Sequence, residues 1–246
     1  MEVPDNVFAF FELFDNFNEV TENLRKEMIM KKFNFRPWVG KDFANGGVFK
    51  KKVLILGESH YCHDIDNGKC PGCSVTNMKE ECHSQTEDVI KGFVTDYQGL
   101  PDEQTFLAFE RALAGREIND DERKQLWDSV MFYNYFQLDA SGPREAPNME
   151  AKEVSEISFR KLLEEFMPDA IIVWGVRLYD LIPGWDSEET TLTIGEEATR
   201  VRHYMVNGKN IPAMCVYHPS TPIGKSWPYW HQFHKAFIGE PSFAKE

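Results

Sequence analysis

Val53-Leu54-Ile55-Leu56-Gly57-Glu58-Ser59-His60-Tyr61 is the stretch on which the reading of this chain turns. Its four leading apolar residues form a run of the kind buried on both faces of a parallel sheet. The run stops at a glycine, and an acid, a hydroxyl and an imidazole follow at once. In α/β proteins the carboxyl ends of strands are where chemistry collects, which makes Glu58, Ser59 and His60 candidate catalytic residues. Four cysteines come next, Cys62, Cys70, Cys73 and Cys82, within twenty-one residues. Four thiolates suit tetrahedral zinc, and a 4Fe–4S cluster on the same four is the chemical alternative. Zinc is the expected cofactor, since the spacings match neither usual ferredoxin pattern. A closed four-thiolate site would stiffen an insertion over about residues 60–83 and activate no water. His60, His63 and His83 stand near as substitute ligands, and four free thiols are the bland alternative.

Outward from this stretch, strands and helices alternate. Residues 19–33 carry Val20, Leu24, Met28 and Ile29 at helical spacing. Helices are expected near 86–98 and 103–114, and a strand over Met131 to Phe136. A helix from Met149 to Met167, buried through Val154, Ile157, Leu162, Leu163 and Phe166, should stop at Pro168. Ala170 to Trp174 reads as a third buried strand, ended by Gly175 and followed by a short helix. Asn207-Gly208 marks a type I′ hairpin, whose second strand, Ala213 to Tyr217, delivers His218-Pro219-Ser220. A last helix begins near Pro228. This alternation predicts an α/β fold, a mainly parallel central sheet with helices on both faces. Glu58, Asn134, Gly175 and His218 then all fall inside or just after the predicted strands, whose carboxyl ends line one crevice.

At 246 residues the chain is the size of one α/β domain, and its 42% hydrophobic content is enough for a core. No apolar run approaches the roughly 18 residues of a membrane helix, and the acidic N-terminus lacks the basic start of a signal peptide. The expectation is a cytoplasmic protein without a membrane partner, in which cysteines serve metal or catalysis before disulfides. The net charge of −13 argues against broad phosphate binding. Any basic footprint must be local, at Lys50-Lys51-Lys52, at Arg200, Arg202 and Lys209, or at Lys225. Residues 178–199 are rich in Asp and Glu and should repel phosphate.

The ordered set of strand-end motifs resembles the uracil-DNA glycosylase superfamily, piecewise over roughly residues 50–240. Leu54 to Glu58 looks like the family's first motif, a strand ending in Gly-Glu-Ala-Pro-Gly or Gly-Gln-Asp-Pro-Tyr-His. Asn134 sits where the family has its base-reading asparagine. Gly142 to Pro147 is similar to the loop that follows in the iron–sulfur branch. Pro168 to Gly175 matches the strand before a short helix, and His218-Pro219-Ser220 matches the closing motif. The resemblance implies a three-layer α/β/α sandwich and hydrolytic excision of a deaminated or damaged base from DNA. It implies that Tyr61 and Asn134 bind the base, with Ile223 as an apolar wedge and Ser220 and Lys225 on the DNA backbone. The first motif departs from both family forms: Ser59 replaces the aspartate of one, and His60 and Tyr61 replace Pro and Gly of the other. The iron–sulfur branch also places its cysteines elsewhere.

The groups themselves suit that chemistry. A neutral imidazole at His218 can hydrogen-bond the developing negative oxygen of a leaving base. A carboxylate at Glu58 can stabilise a cationic sugar and position water. The Asn134 amide offers a donor and an acceptor to a pyrimidine edge, provided the base leaves the duplex or is single-stranded. Two other functions compete. A protein with this fold and an altered first motif can bind nucleic acid or nucleotide without cleaving it. Convergence of Glu58, His218 and Asn134 on one pocket would favour catalysis, and a Glu58 held in a surface salt bridge would favour binding alone. Gly57-Glu58-Ser59 also resembles the Gly-Asp-Ser block of SGNH-type serine esterases, with Asn134 as oxyanion donor, but no histidine here has an aspartate three positions before it. Cys215 reads as core. His231 and His234 read as part of an aromatic helix before a metal pair.

Overall fold

The computed structural model describes residues 33–61, 73–74, 76, 78–100, 103–139, 147–221 and 226–244. They form β1 (Trp38–Val39), β2 (Val53–Gly57), α1 (Gln85–Thr95), α2 (Gln104–Ala114), α3 (Asp120–Asp128) and β3 (Val130–Asn134). These are followed by α4 (Met149–Phe166), β4 (Ala170–Trp174), α5 (Val176–Leu181), β5 (Glu188–Ile194), β6 (Glu197–Val206), β7 (Lys209–Val216) and α6 (Trp227–Ile238). The helix expected over 19–33 lies, but for Phe33, outside the described residues. None of the described helices is long and apolar enough to cross a membrane.

The strands make one seven-stranded mixed sheet in the order β1-β3-β2-β4-β7-β6-β5. The four central strands, β3, β2, β4 and β7, are parallel neighbours, and β1, β6 and β5 join antiparallel. The sheet is therefore parallel at its centre and antiparallel at its flanks, which corrects the expectation of a mainly parallel sheet. The two flanking strands the sequence concealed have a common reason. β5 is Glu-Glu-Thr-Thr-Leu-Thr-Ile, half to fully exposed throughout, so it needs no apolar alternation. β1 is two residues long.

The central strands are buried along their whole length, as continuous apolar runs require. Alternation divides their side chains between two apolar clusters. Leu54, Leu56, Ile171 and Val173 pack with Phe159, Leu162 and Leu163 of α4. Val53, Ile55, Phe132 and Ile172 pack with residues of α1, α2, α3 and α6. Asn207 and Gly208 both take positive φ, as a type I′ turn demands, and set the register Val206↔Lys209 of the β6–β7 hairpin.

Two local differences stand out. In α4 the buried positions are Ala151, Ser155, Ser158, Phe159, Leu162, Leu163 and Phe166, while Ile157 is 55% exposed and Val154 is half-buried. The buried stripe runs through two serines because Ser155 Oγ accepts the Gln137 N–H at 2.9 Å. A hydroxyl there satisfies a buried backbone donor that an aliphatic side chain would strand. α3, absent from the sequence reading, begins in a capping box formed by Asn119 and Glu122.

Candidate functional site at the carboxyl edge of the sheet

Chain order sets where a ligand crevice should open. From β2 the chain moves to β3 on one side, then crosses to β4 on the other. The topological switch point thus lies between the carboxyl ends of β2 and β4, where open α/β sheets bind ligands. Glu58 leaves β2 there, and Arg177 stands in the first turn of α5 just after β4. Arg177 Nη1 meets Glu58 Oε1 at 2.6 Å, so the crevice holds an ion pair. Burial raises the Glu58 carboxyl above its usual range, and the Arg177 cation only partly opposes this. Arg177 is a residue the motif reading missed, and no sequence signal separates it from other helix arginines.

One strand over, Asn134 ends β3 in register with Gly57. Its amide is buried, 6% exposed, and its Nδ2 contacts His60 Nε2 at 3.0 Å. Thr86 Oγ1 lies 2.7 Å from the same nitrogen, and Phe35 meets the imidazole edge-on at 4.9 Å. Desolvation lowers the His60 pKa to about 3, so this imidazole is neutral at physiological pH. The amide proposed as a base reader and the imidazole proposed as a catalyst are thus partners of each other. Tyr61 beside them is 44% exposed. Ser59 makes no hydrogen bond to an imidazole among the described residues.

His218 lies two residues beyond β7, separated from Glu58 by β4. Its ring stands edge-on to Trp174 with centroids 5.9 Å apart. The Ser220 N–H donates to Nδ1 at 3.3 Å, and Ser220 Oγ lies 2.8 Å from the same atom. With Nδ1 accepting, the neutral ring carries its proton on Nε2. Burial lowers the His218 pKa, so the neutral donor is the resting form. Ser220, expected on a phosphate, here contacts this histidine. Ile223 and Lys225 lie outside the described residues.

A cavity of about 240 Å³ opens beside His218, between α2, α6 and the 217–221 loop. His218, Phe109, Trp227, Trp230 and His234 line it, and Glu58, Asn134 and Tyr61 do not. His234, 1% exposed, packs edge-on against Phe109. Desolvation, helped by His231, lowers its pKa to about 3. His231 contacts the Ala112 carbonyl through Nδ1 at 3.1 Å, which parts it from any metal pair with His234.

Of the cysteine set, Cys73 and Cys82 are half-buried just ahead of α1, and Cys62 and Cys70 lie outside the described residues. Among the described residues no three His, Cys, Asp or Glu side chains gather as a metal site. Cys215 is core, with burial pushing its thiol to about 11. Of the local basic clusters, Lys50 is exposed and Lys225 lies outside the described residues, while the other members are engaged within the fold. Arg200 pairs with Asp180 at 2.8 Å, and Lys209 with Asp169 at 2.6 Å. Arg202 donates to the Ile182 carbonyl, and Lys51 and Lys52 donate to the Phe237 and Phe166 carbonyls. Asp139, five residues past Asn134, was not foreseen; burial raises its pKa to about 6. A scan against protein-family models finds none that matches this chain, and a search of curated proteins likewise returns no match.

Proposed function

We propose that this chain recognises a nucleobase-containing ligand, nucleotide or nucleic acid, on a three-layer α/β/α sandwich of the uracil-DNA glycosylase kind. The parallel order β3-β2-β4-β7 and the apolar clusters on both sides of the sheet support the architecture. The observation that carries the recognition reading is the division of labour at the sheet edge. Glu58 is held by Arg177 and Asn134 by His60, whereas His218 keeps an oriented Nε2–H for a ligand. The engaged basic residues and the net charge of −13 favour a small ligand or a short single strand over duplex DNA. A zinc ion on Cys62, Cys70, Cys73 and Cys82 belongs to the same proposal as a structural staple of the segment behind Glu58.

Hydrolytic excision is the second reading, and one observation favours it: burial perturbs Glu58 upward and His218 downward along the same strand edge. Both shifts come from desolvation, and perturbed groups of this kind cluster at functional sites. In that reading His218 donates to the departing base, and Arg177 must release Glu58 so that the carboxylate faces the sugar.

One experiment separates the two. Labelled single- and double-stranded oligonucleotides carrying uracil, hypoxanthine or xanthine are titrated for binding, then treated with alkali to reveal excised bases. Binding without strand cleavage, weakened by His218→Ala and indifferent to Glu58→Gln, is the expected result. Cleavage that both substitutions reduce by roughly a hundredfold would replace recognition with excision. Absence of binding to oligonucleotides and free nucleotides alike would remove the proposal.

A further inference from the structure

The cavity beside His218 has a chemistry that Glu58 and Asn134 do not share. Its walls are the rings of Phe109, Trp227 and Trp230, with Ala108 and Ala112 leaving the space open on the α2 side. Among the described residues, the twelve that line it are Ala, Phe, Val, Tyr, His, Pro, Thr, Ser or Trp, with no carboxylate, lysine or arginine. Both of its imidazoles are kept neutral by burial. A carboxylate or phosphate placed inside would lose its hydration without gaining a counter-charge from these residues. The described walls therefore favour a neutral occupant over an anion.

One polar group in the walls narrows the choice. His218 brings a donor, Nε2–H, oriented from behind by Ser220. Flat aromatic walls with a donor at their edge fit a flat ring that carries a carbonyl oxygen or ring nitrogen. The volume of about 240 Å³ falls below the roughly 300 Å³ at which drug-sized pockets begin, which suits a single ring system.

We propose that this cavity holds one uncharged nucleobase-type heteroaromatic ring, bonded at its edge by His218 and stacked on Trp227 and Trp230. The inference rests on the recognition reading and deepens it: the base is taken on the α2–α6 side of His218, and the buried, His60-bound amide of Asn134 does not read it. A sugar or phosphate attached to the ring stays outside, toward residues 219–221 and 226.

The test titrates the full chain with free uracil and, separately, free hypoxanthine, following intrinsic tryptophan fluorescence and calorimetric heat. Ala108→Leu narrows the cavity from a half-buried position, and Trp227→Ala removes a stacking wall from another half-buried one. Unliganded melting curves show that each variant folds. The expected result is saturable quenching by at least one of the two bases with a Kd of about 1 mM or tighter. Each variant should weaken binding by roughly tenfold, the scale of one base–aromatic stack, while Asn134→Ala leaves the affinity within about twofold. Saturable binding that both cavity variants leave intact and Asn134→Ala abolishes would overturn this inference and leave the recognition reading standing. Free-base binding lost in both cavity variants, with oligonucleotides and nucleotides failing to bind, would support the cavity and sink the recognition reading. A folded chain that neither base quenches or heats overturns the inference outright.

Discussion

A methyl group on Gly57 would stand 2.2 Å from Asn134 Oδ1 and 3.0 Å from the Phe132 ring. The glycine that ends β2 is thus there to let the Asn134 side chain lie flat across the strand end and reach His60. Gly57→Ala should destabilise the fold by roughly 1–3 kcal/mol through overpacking. Chemical denaturation is the measurement, and part of the loss should return in an Asn134→Ala background, where the clashing oxygen is gone. A second residue-scale expectation concerns acid. His60 and His234 have folded pKa values of about 3 against about 6.5 when unfolded. Between these limits the unfolded chain binds the extra protons, so stability is full above pH 6.5 and declines as pH falls toward 3. Each histidine contributes a slope of about 1.4 kcal/mol per pH unit. Asp139, raised to about 6, works in the opposite sense, stabilising as pH falls below 6. Glu58 and Glu110, also raised by burial, act with Asp139, and the lowered His218 acts with the other imidazoles. The large shifts of His60 and His234 predict a lower denaturation midpoint at pH 5 than at pH 7, and His234→Phe should flatten the dependence.

Between elements, the joint of α2 and α3 depends on one buried pair. Arg123 forks onto both Glu110 oxygens at 2.9 and 3.0 Å, with 4% and 0% of the side chains exposed. Its guanidinium also lies over Phe93 and Tyr97, which ties α1 and the segment behind it into the joint. Burial raises the Glu110 carboxyl in spite of Arg123, the sign of a pair whose desolvation is only just offset. Arg123→Ala should then cost about 3–5 kcal/mol by stranding the carboxylate, and pairing it with Glu110→Met should recover most of that. Equal losses in the single and double variants would show that packing, not charge, holds the joint. At the start of α3, Asn119→Ala removes a cap that accepts the Glu122 N–H, for about 1 kcal/mol.

On the scale of the whole molecule, charge and metal make the clearest expectations. With Arg200, Lys209, Lys51 and Lys52 engaged internally, ligand affinity should change less than about twofold between roughly 50 and 200 mM salt. A protein contacting six to ten phosphates would lose about 10³-fold or more over that range. A steep salt dependence would point to a basic surface made by residues other than these. Metal analysis of the purified chain should find about one zinc per molecule, and chelation should lower its melting temperature. Protein that folds without metal and ignores the chelator would leave the cysteines as free thiols.

What the sequence determined by itself was local. Continuous apolar runs marked β2, β3 and β4 because a strand buried on both faces must be apolar throughout. Asn207-Gly208 marked its hairpin because that turn needs two residues at positive φ. Strand ends therefore already identified Glu58 and His218 as residues of one sheet edge, while Asn134, read inside a strand running to Phe136, is itself the strand's last residue. Exposed β5 and the two-residue β1 carried no such pattern, and α3 was missed although the Asn119-x-x-Glu122 capping box marks its start. Which side chains meet was decided by tertiary structure alone. The Asn134–His60 contact, the Arg177–Glu58 pair and the gathering of Phe109, Trp227 and His234 around His218 join residues 74, 119, 109, 9 and 16 positions apart. Periodicity reports the face on which a residue lies; only strand order and helix packing bring two faces into contact.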